Sequence, residues 1–206
     1  MREATRTDWR FLLGLKQSDV VLAVGPEAPR LTNSLAPWVA EVREFAAAGP
    51  AADWAFLSGN EPGESLPGTL ARTYAALRPG GHLAMTLENR WGLHWIADWR
   101  PAAGRGASVA ATGVRHGLPW HVEQFQRAGA DHICAYALLP SRDAPRAIIP
   151  VDPPCPPAAQ KMALDQVWQR ATPPAALLRL ALGVLVSAGV MRHLYPHYLV
   201  VGRKPC

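Results

Sequence analysis

The chain has 206 residues, of which 49% are hydrophobic and 18% charged. That balance excludes a disordered polypeptide, and the length suits one core, since single domains commonly run to about 100–200 residues. The formal charge is +5, but Arg and Lys are interleaved with Asp and Glu from Arg2 to Lys204, and the absence of a basic run argues against a nucleic-acid partner.

DWRFLLGL, from Asp8 to Leu15, is expected to form a short helix beneath the first strand. Val20 to Val24 is a continuous apolar run ending at Gly25, the pattern of a strand buried on both faces of a parallel sheet. The turn GPEAP leads into a helix over Arg30 to Trp38, with Pro37 at its end because proline breaks a helix interior. VAEVREF, Val39 to Phe45, alternates as a strand does, and DWAFLSG, Asp53 to Gly59, is a third apolar strand. TLARTYAALRPGG has amphipathic helical spacing stopped by Pro79, Gly80 and Gly81. HLAMTLEN, His82 to Asn89, is the next strand.

From Trp91 to Pro119 the pattern weakens, although Trp91, Trp95 and Trp99 stand at helical spacing. HVEQFQRAGA then predicts a helix and DHICAYALLP a strand. PVDPPCPP, Pro150 to Pro157, is too rich in proline for a helix or an interior strand and reads as an extended surface connector within a single domain spanning 1–206. Ala158 to Ala171 and Ala175 to Met191 follow as helices, and Tyr198 to Val201 is the last strand. The alternation of strands and helices predicts an α/β domain with a mostly parallel sheet.

Cys134, Cys155 and Cys206 are odd in number and far apart, and they form neither a CxxC nor a Cys/His pair. They point to a reducing compartment rather than a disulfide framework or a zinc site. MREATRTDWR is too polar for a secretory signal core, and Leu180 to Met191 falls short of the ~18–20 apolar residues that span a bilayer. The expectation is a cytoplasmic protein without a transmembrane segment. No metal is expected either: there is no HExxH, and Pro196 separates His193 from His197. A GxSxG nucleophile elbow and a P-loop lysine motif are also absent.

VVLAVGPEAPRLTNSLAPW, then LRPGGHLAMTLEN, then a late helix-AGA-strand unit and a terminal strand, taken in that order, resemble the class I S-adenosylmethionine-dependent methyltransferases. The resemblance implies a Rossmann-like α/β sheet, mostly parallel with an antiparallel last strand, and a cofactor at the carboxyl ends of its strands. DWRFLLG and LENRWGLHW look most like methyltransferase-like proteins of bacterial glycan or natural-product biosynthesis. An accessory role with a protein partner from such a pathway is the corresponding expectation.

Set against the family pattern, the cofactor half is incomplete. The family's first motif needs an acidic residue on the strand and a glycine-rich turn that lets the backbone approach the ligand. Only Gly25 matches. Ala23 stands at the acidic position, and Pro26 and Pro29 remove backbone donors. The family's ribose-binding carboxylate corresponds to Glu44, which could equally be a solvated charge at a strand end. Between Glu44 and the DWAFLSG strand there is no room for the expected helix and strand, since a helical crossover needs about 10–12 residues or more. Either the sheet is shortened by one strand-helix unit or VAEVREF is not the second strand.

Ser58, with Gly59 and Asn60, ends a strand where the family often places cofactor contacts. Glu88, Asn89 and Arg90 could orient a polar substrate or simply close a strand. Two functions are therefore open. One is a methyltransferase-like accessory protein with a degenerate S-adenosylmethionine site. The other is an active O- or N-methyltransferase for a small metabolite or glycan precursor, with Gly25, Glu44 and Ser58 on the cofactor and Glu88 or His94 as general base.

Overall fold

A computed structural model of the chain describes residues 12–45, 51–58, 65–89, 92, 116–139, 145, 147–168 and 176–206. The five apolar residues of β1 (Val20–Val24) form the buried strand that their pattern predicts. Their side chains alternate between two cores, Leu22 and Val24 on one face and Val21 and Ala23 on the other. Helix α1 (Ala28–Leu35) starts two residues earlier than expected and stops before Pro37. Pro29 explains the start, because a proline in the first helical turn loses no intrahelical bond and has its φ already set.

Strand β2 (Glu41–Glu44) pairs in parallel with β1, and β3 (Ala52–Leu57) pairs in parallel with β1 on its other side. VAEVREF is thus the second strand, trimmed at both ends. The link from Glu44 to Ala52 is Phe45 to Ala51, too short for a helical crossover and a further strand. β2 is left at the edge of the sheet with Glu41, Arg43 and Glu44 among its four residues. A short, charged edge strand is a poor template for pairing with another chain.

Helix α2 (Leu66–Ala76) is capped by Ser65, whose hydroxyl accepts the Gly68 N–H at 3.3 Å. It ends earlier than the amphipathic spacing suggests, because LRPGG belongs to strand β4 (Leu77–Glu88). Leu77 is already extended and opposite Ala52, and the next pair in register is Trp54 with His82, so Arg78 to Gly81 form a bulge. The two glycines have separate reasons to be there. Gly80 has a φ of 75°, and a Cβ on Gly81 would come within 2.9 Å of the Arg78 carbonyl oxygen.

Helix α3 (Leu118–Arg127) leads into β5 (Asp131–Leu139), and β6 (Ala147–Asp152) turns back beside it. This last strand corrects the reading of Pro150 to Asp152 as part of an unpaired connector. Those residues are extended but hydrogen-bonded to β5, and the edge position tolerates Pro150, which has no N–H to donate. Helices α4 (Pro157–Trp168) and α5 (Ala176–Ser187) come next, then a 3-10 turn at Met191–His193 and strand β7 (His197–Arg203).

The seven strands lie in the order β2-β1-β3-β4-β7-β5-β6. β2, β1, β3 and β4 are mutually parallel, and β7 runs antiparallel between β4 and β5. Two strands, β7 and β6, therefore run against the rest where one was expected. Leu70, Tyr74, Phe125, Leu164 and Val186 carry α2 to α5 onto one face, while Leu31 and Leu35 hold α1 on the other. Fully burying a side chain such as Phe56 or Leu57 contributes about 1.5–3 kcal/mol, so this two-sided core holds the strand ends in fixed relation. Among the described residues no helix is long and apolar enough to cross a membrane.

Candidate functional site

The carboxyl ends of β1, β2, β3 and β4 share one edge of the sheet, where an open α/β fold places its ligand crevice. Gly25 is buried there with a φ of 95°, a conformation that glycine adopts without strain. Ser58, at the end of β3, is 9% exposed and crosses to this turn. Its N–H and its hydroxyl both donate to the Val24 carbonyl, at 3.0 and 3.2 Å, and its Oγ accepts the Glu27 N–H at 3.0 Å.

The N–H groups after Gly25 can be followed one by one. Pro26 and Pro29 have none. The Glu27 N–H goes to Ser58, the Ala28 N–H to the Gly25 carbonyl, and the Arg30 and Leu31 N–H groups to the Glu27 carbonyl, the last three at 3.0 Å. From residue 26 to residue 31 every donor is absent or bonded within the protein.

Glu44 is brought level with Ala23 across the β1–β2 pair, two residues short of Gly25, and is exposed. Neighbouring Arg43 is engaged by Glu41, its Nε donating to Oε1 at 2.7 Å. Glu88 is half-buried at the end of β4, opposite His197 of β7. His94, like Gly59, Asn60, Arg90, Trp91, Trp95 and Trp99, lies outside the described residues. Ser58 and Glu27 thus meet directly beside Gly25, and Glu44 and Glu88 lie at the same edge of the sheet.

Asn89 is completely buried. Its side-chain amide donates to the His193 and Tyr195 carbonyls at 2.7 and 2.9 Å, and its backbone N–H to the Pro196 carbonyl at 2.8 Å. The Tyr198 hydroxyl donates to the Arg192 carbonyl at 2.7 Å. Burial pushes the Tyr198 phenol far above its ordinary pKa, so it stays a neutral donor. Asn89 therefore clamps the turn before β7.

No protein-family model and no curated protein matches the chain. Solved structures do. The chain is similar to an S-adenosylmethionine-dependent methyltransferase from Archaeoglobus fulgidus, with a TM-score of 0.54, 11% identity, and 99% of this chain and 95% of the other covered. It is also similar to a possible histamine N-methyltransferase from Thermotoga maritima, with a TM-score of 0.50, 8% identity, and 96% and 88% covered. The chain has the S-adenosylmethionine-dependent methyltransferase fold. At such identities the likeness concerns the fold alone. Against the phosphoethanolamine N-methyltransferase 2 of Haemonchus contortus (TM-score 0.49, 11% identity), 96% of the chain is covered but it spans only 53% of that protein's length.

Three aromatic side chains of this methyltransferase fold were not singled out by sequence reasoning. Helix α3 leads into β5, which runs parallel to β4, so its first turn lies at the same carboxyl edge of the sheet. His116 stacks on Trp120 at 3.7 Å between ring centroids, and His121 meets Trp120 edge-on at 4.9 Å. His121 is 9% exposed and its Nδ1 has no hydrogen-bond partner. Burial first, and His116 beside it second, push its pKa down to about 4. The signal available in the sequence was GLPW, a glycine N-cap followed by proline in the first helical turn.

Proposed function

We propose that this chain is a methyltransferase-fold protein with a degenerate S-adenosylmethionine site, acting as an accessory or binding component of a biosynthetic pathway and not as an independent methyl-transfer catalyst. The observation that carries the reading is the fate of the donors from residue 26 to residue 31. An anionic ligand group at a helix N-terminus is held by free N–H groups, and in this turn they are replaced by proline or engaged by Ser58 Oγ and by the Gly25 and Glu27 carbonyls. The short link after β2 supports the same conclusion, because it leaves Glu44 on an exposed edge strand. We place the protein in the reducing environment of the cytoplasm, in keeping with its three unpaired cysteines.

The test is calorimetric titration of the purified chain with S-adenosylmethionine and S-adenosylhomocysteine. We expect no saturable heat with ligand up to about 1 mM, the affinity range worth only about 4 kcal/mol. Saturable micromolar binding that disappears in Glu44→Ala would overturn the proposal and establish an active cofactor site.

A further inference from the structure

The opposite edge of the sheet, where the parallel strands begin, holds a cleft of about 390 Å³. It is separated from the turn after Val24 by the length of β1, about 16 Å at 3.3 Å per residue. Two carboxylates line it, and both are already engaged. Asp19 is 5% exposed and accepts the Lys16 N–H at 2.9 Å. Asp53 accepts the Val20 N–H at 2.7 Å and an Arg78 N–H at 2.7 Å.

The donors in the same cleft are in surplus. Lys16 is exposed and its ammonium has no partner among the described residues. Arg78 pairs with Asp53 through one nitrogen, and its side chain stays 59% exposed, leaving the rest of its fork to solvent. The His82 ring stacks on Trp54 at 4.5 Å and 18°, giving the cleft a flat wall. His132, at a φ of 45° in the bulge at the start of β5, also lines the cleft. Burial first, then Arg203 and Arg78, hold the His82 pKa below its ordinary value, against the smaller opposing pull of Asp131 and Asp19.

We propose that this cleft binds a small anion carried on a flat ring, with the carboxylate or phosphate group held by Lys16 and Arg78 and the ring lying along His82. The competing explanation is that the charges only staple the sheet. It accounts for Arg78 with Asp53 and for Arg203 with Asp131 at 3.1 Å. It gives no role to the exposed Lys16 ammonium, which lines the same space and has no partner among the described residues. The site is independent of the cofactor question, because it shares no residue with the carboxyl edge.

The experiment is calorimetric titration of the full chain at neutral pH and low salt with three probes: adenosine 5′-monophosphate, benzoate and inorganic phosphate. At least one ring-bearing probe is expected to saturate at millimolar concentration or below, and whichever binds assigns the anion as phosphate or carboxylate. Losing a charge-assisted hydrogen bond costs about tenfold in affinity or more, so Lys16→Glu is expected to weaken that binding at least tenfold while its unfolding transition stays in place. Should the charge reversal disturb folding, the neutral Lys16→Gln decides by the same reading. The proposal is overturned if neither ring probe saturates by about 10 mM, if the Lys16 variant that folds binds as the parent does, or if inorganic phosphate alone binds as tightly as the ring probes.

Discussion

Removing one oxygen, in Ser58→Ala, should loosen the turn after β1 and leave the rest of the sheet intact. The lost Oγ donates to the Val24 carbonyl at 3.2 Å and accepts the Glu27 N–H at 3.0 Å. The carbonyl keeps the Ser58 N–H at 3.0 Å, so the loss falls on the Glu27 N–H, which gives up its bond to Oγ. A hydrogen bond contributes about 0.5–1.5 kcal/mol net, and a buried donor left unmade costs about 1–3 kcal/mol. Glu27 is half-buried and water can reach it, which sets the expected loss near the lower end, about 1–2 kcal/mol. At about 2–4 °C per kcal/mol for a chain of this size, Tm should fall by roughly 2–8 °C. Urea unfolding followed by circular dichroism should show a lower midpoint with an unchanged slope. A variant within about 0.3 kcal/mol of the parent would refute the role of Ser58 as the tie between β3 and the turn. The same variant also checks the donor accounting. Freeing one N–H between two prolines should not create a cofactor site, so S-adenosylmethionine should still give no heat, and saturable binding here would refute that reasoning.

Two further outcomes can be checked on the same protein. Asn89→Ala leaves the His193 and Tyr195 carbonyls without the buried amide that serves both, and urea denaturation should show a loss of about 2–4 kcal/mol. The folded pKa of His121, about 4, lies below its unfolded value near 6.5, so the unfolded chain takes up the proton first as pH falls. Its contribution is therefore complete above pH 6.5, declines by roughly 3 kcal/mol between about pH 6.5 and 4, and levels off below. Histidine NMR titration should place the midpoint near 4, and His121→Leu should flatten that part of the stability profile.

The strands were legible where burial on both faces writes a continuous apolar run, as in Val20–Val24 and Ala52–Leu57. β6 was not, because Pro150 carries the local signal of a loop and its tolerance depends on the strand's being at the edge, a fact of tertiary arrangement. LRPGG was misplaced for a related reason. Its glycines read as a helix stop, yet they serve a bulge against Asp53 that only the paired sheet reveals. At the site, the prolines and the short link after Glu44 could be read directly. The hydroxyl of Ser58 could not, since its partners are 31 and 34 residues away and nothing local distinguishes it from a cofactor contact.

That long-range bond explains how the turn can be stable without a ligand. A turn built to receive an anion keeps N–H groups free, and until the ligand arrives those donors depend on water or stay unmade at a cost of about 1–3 kcal/mol when buried. Here two donors are removed outright by Pro26 and Pro29, and the Glu27 donor is satisfied by a neighbouring strand. On the adjacent side, β2 ends the sheet in charged residues that need no further strand beside them. Under the proposed function, the prolines and the Ser58 bond are what let this turn stand without a ligand, because no backbone donor from residue 26 to residue 31 is left waiting for one.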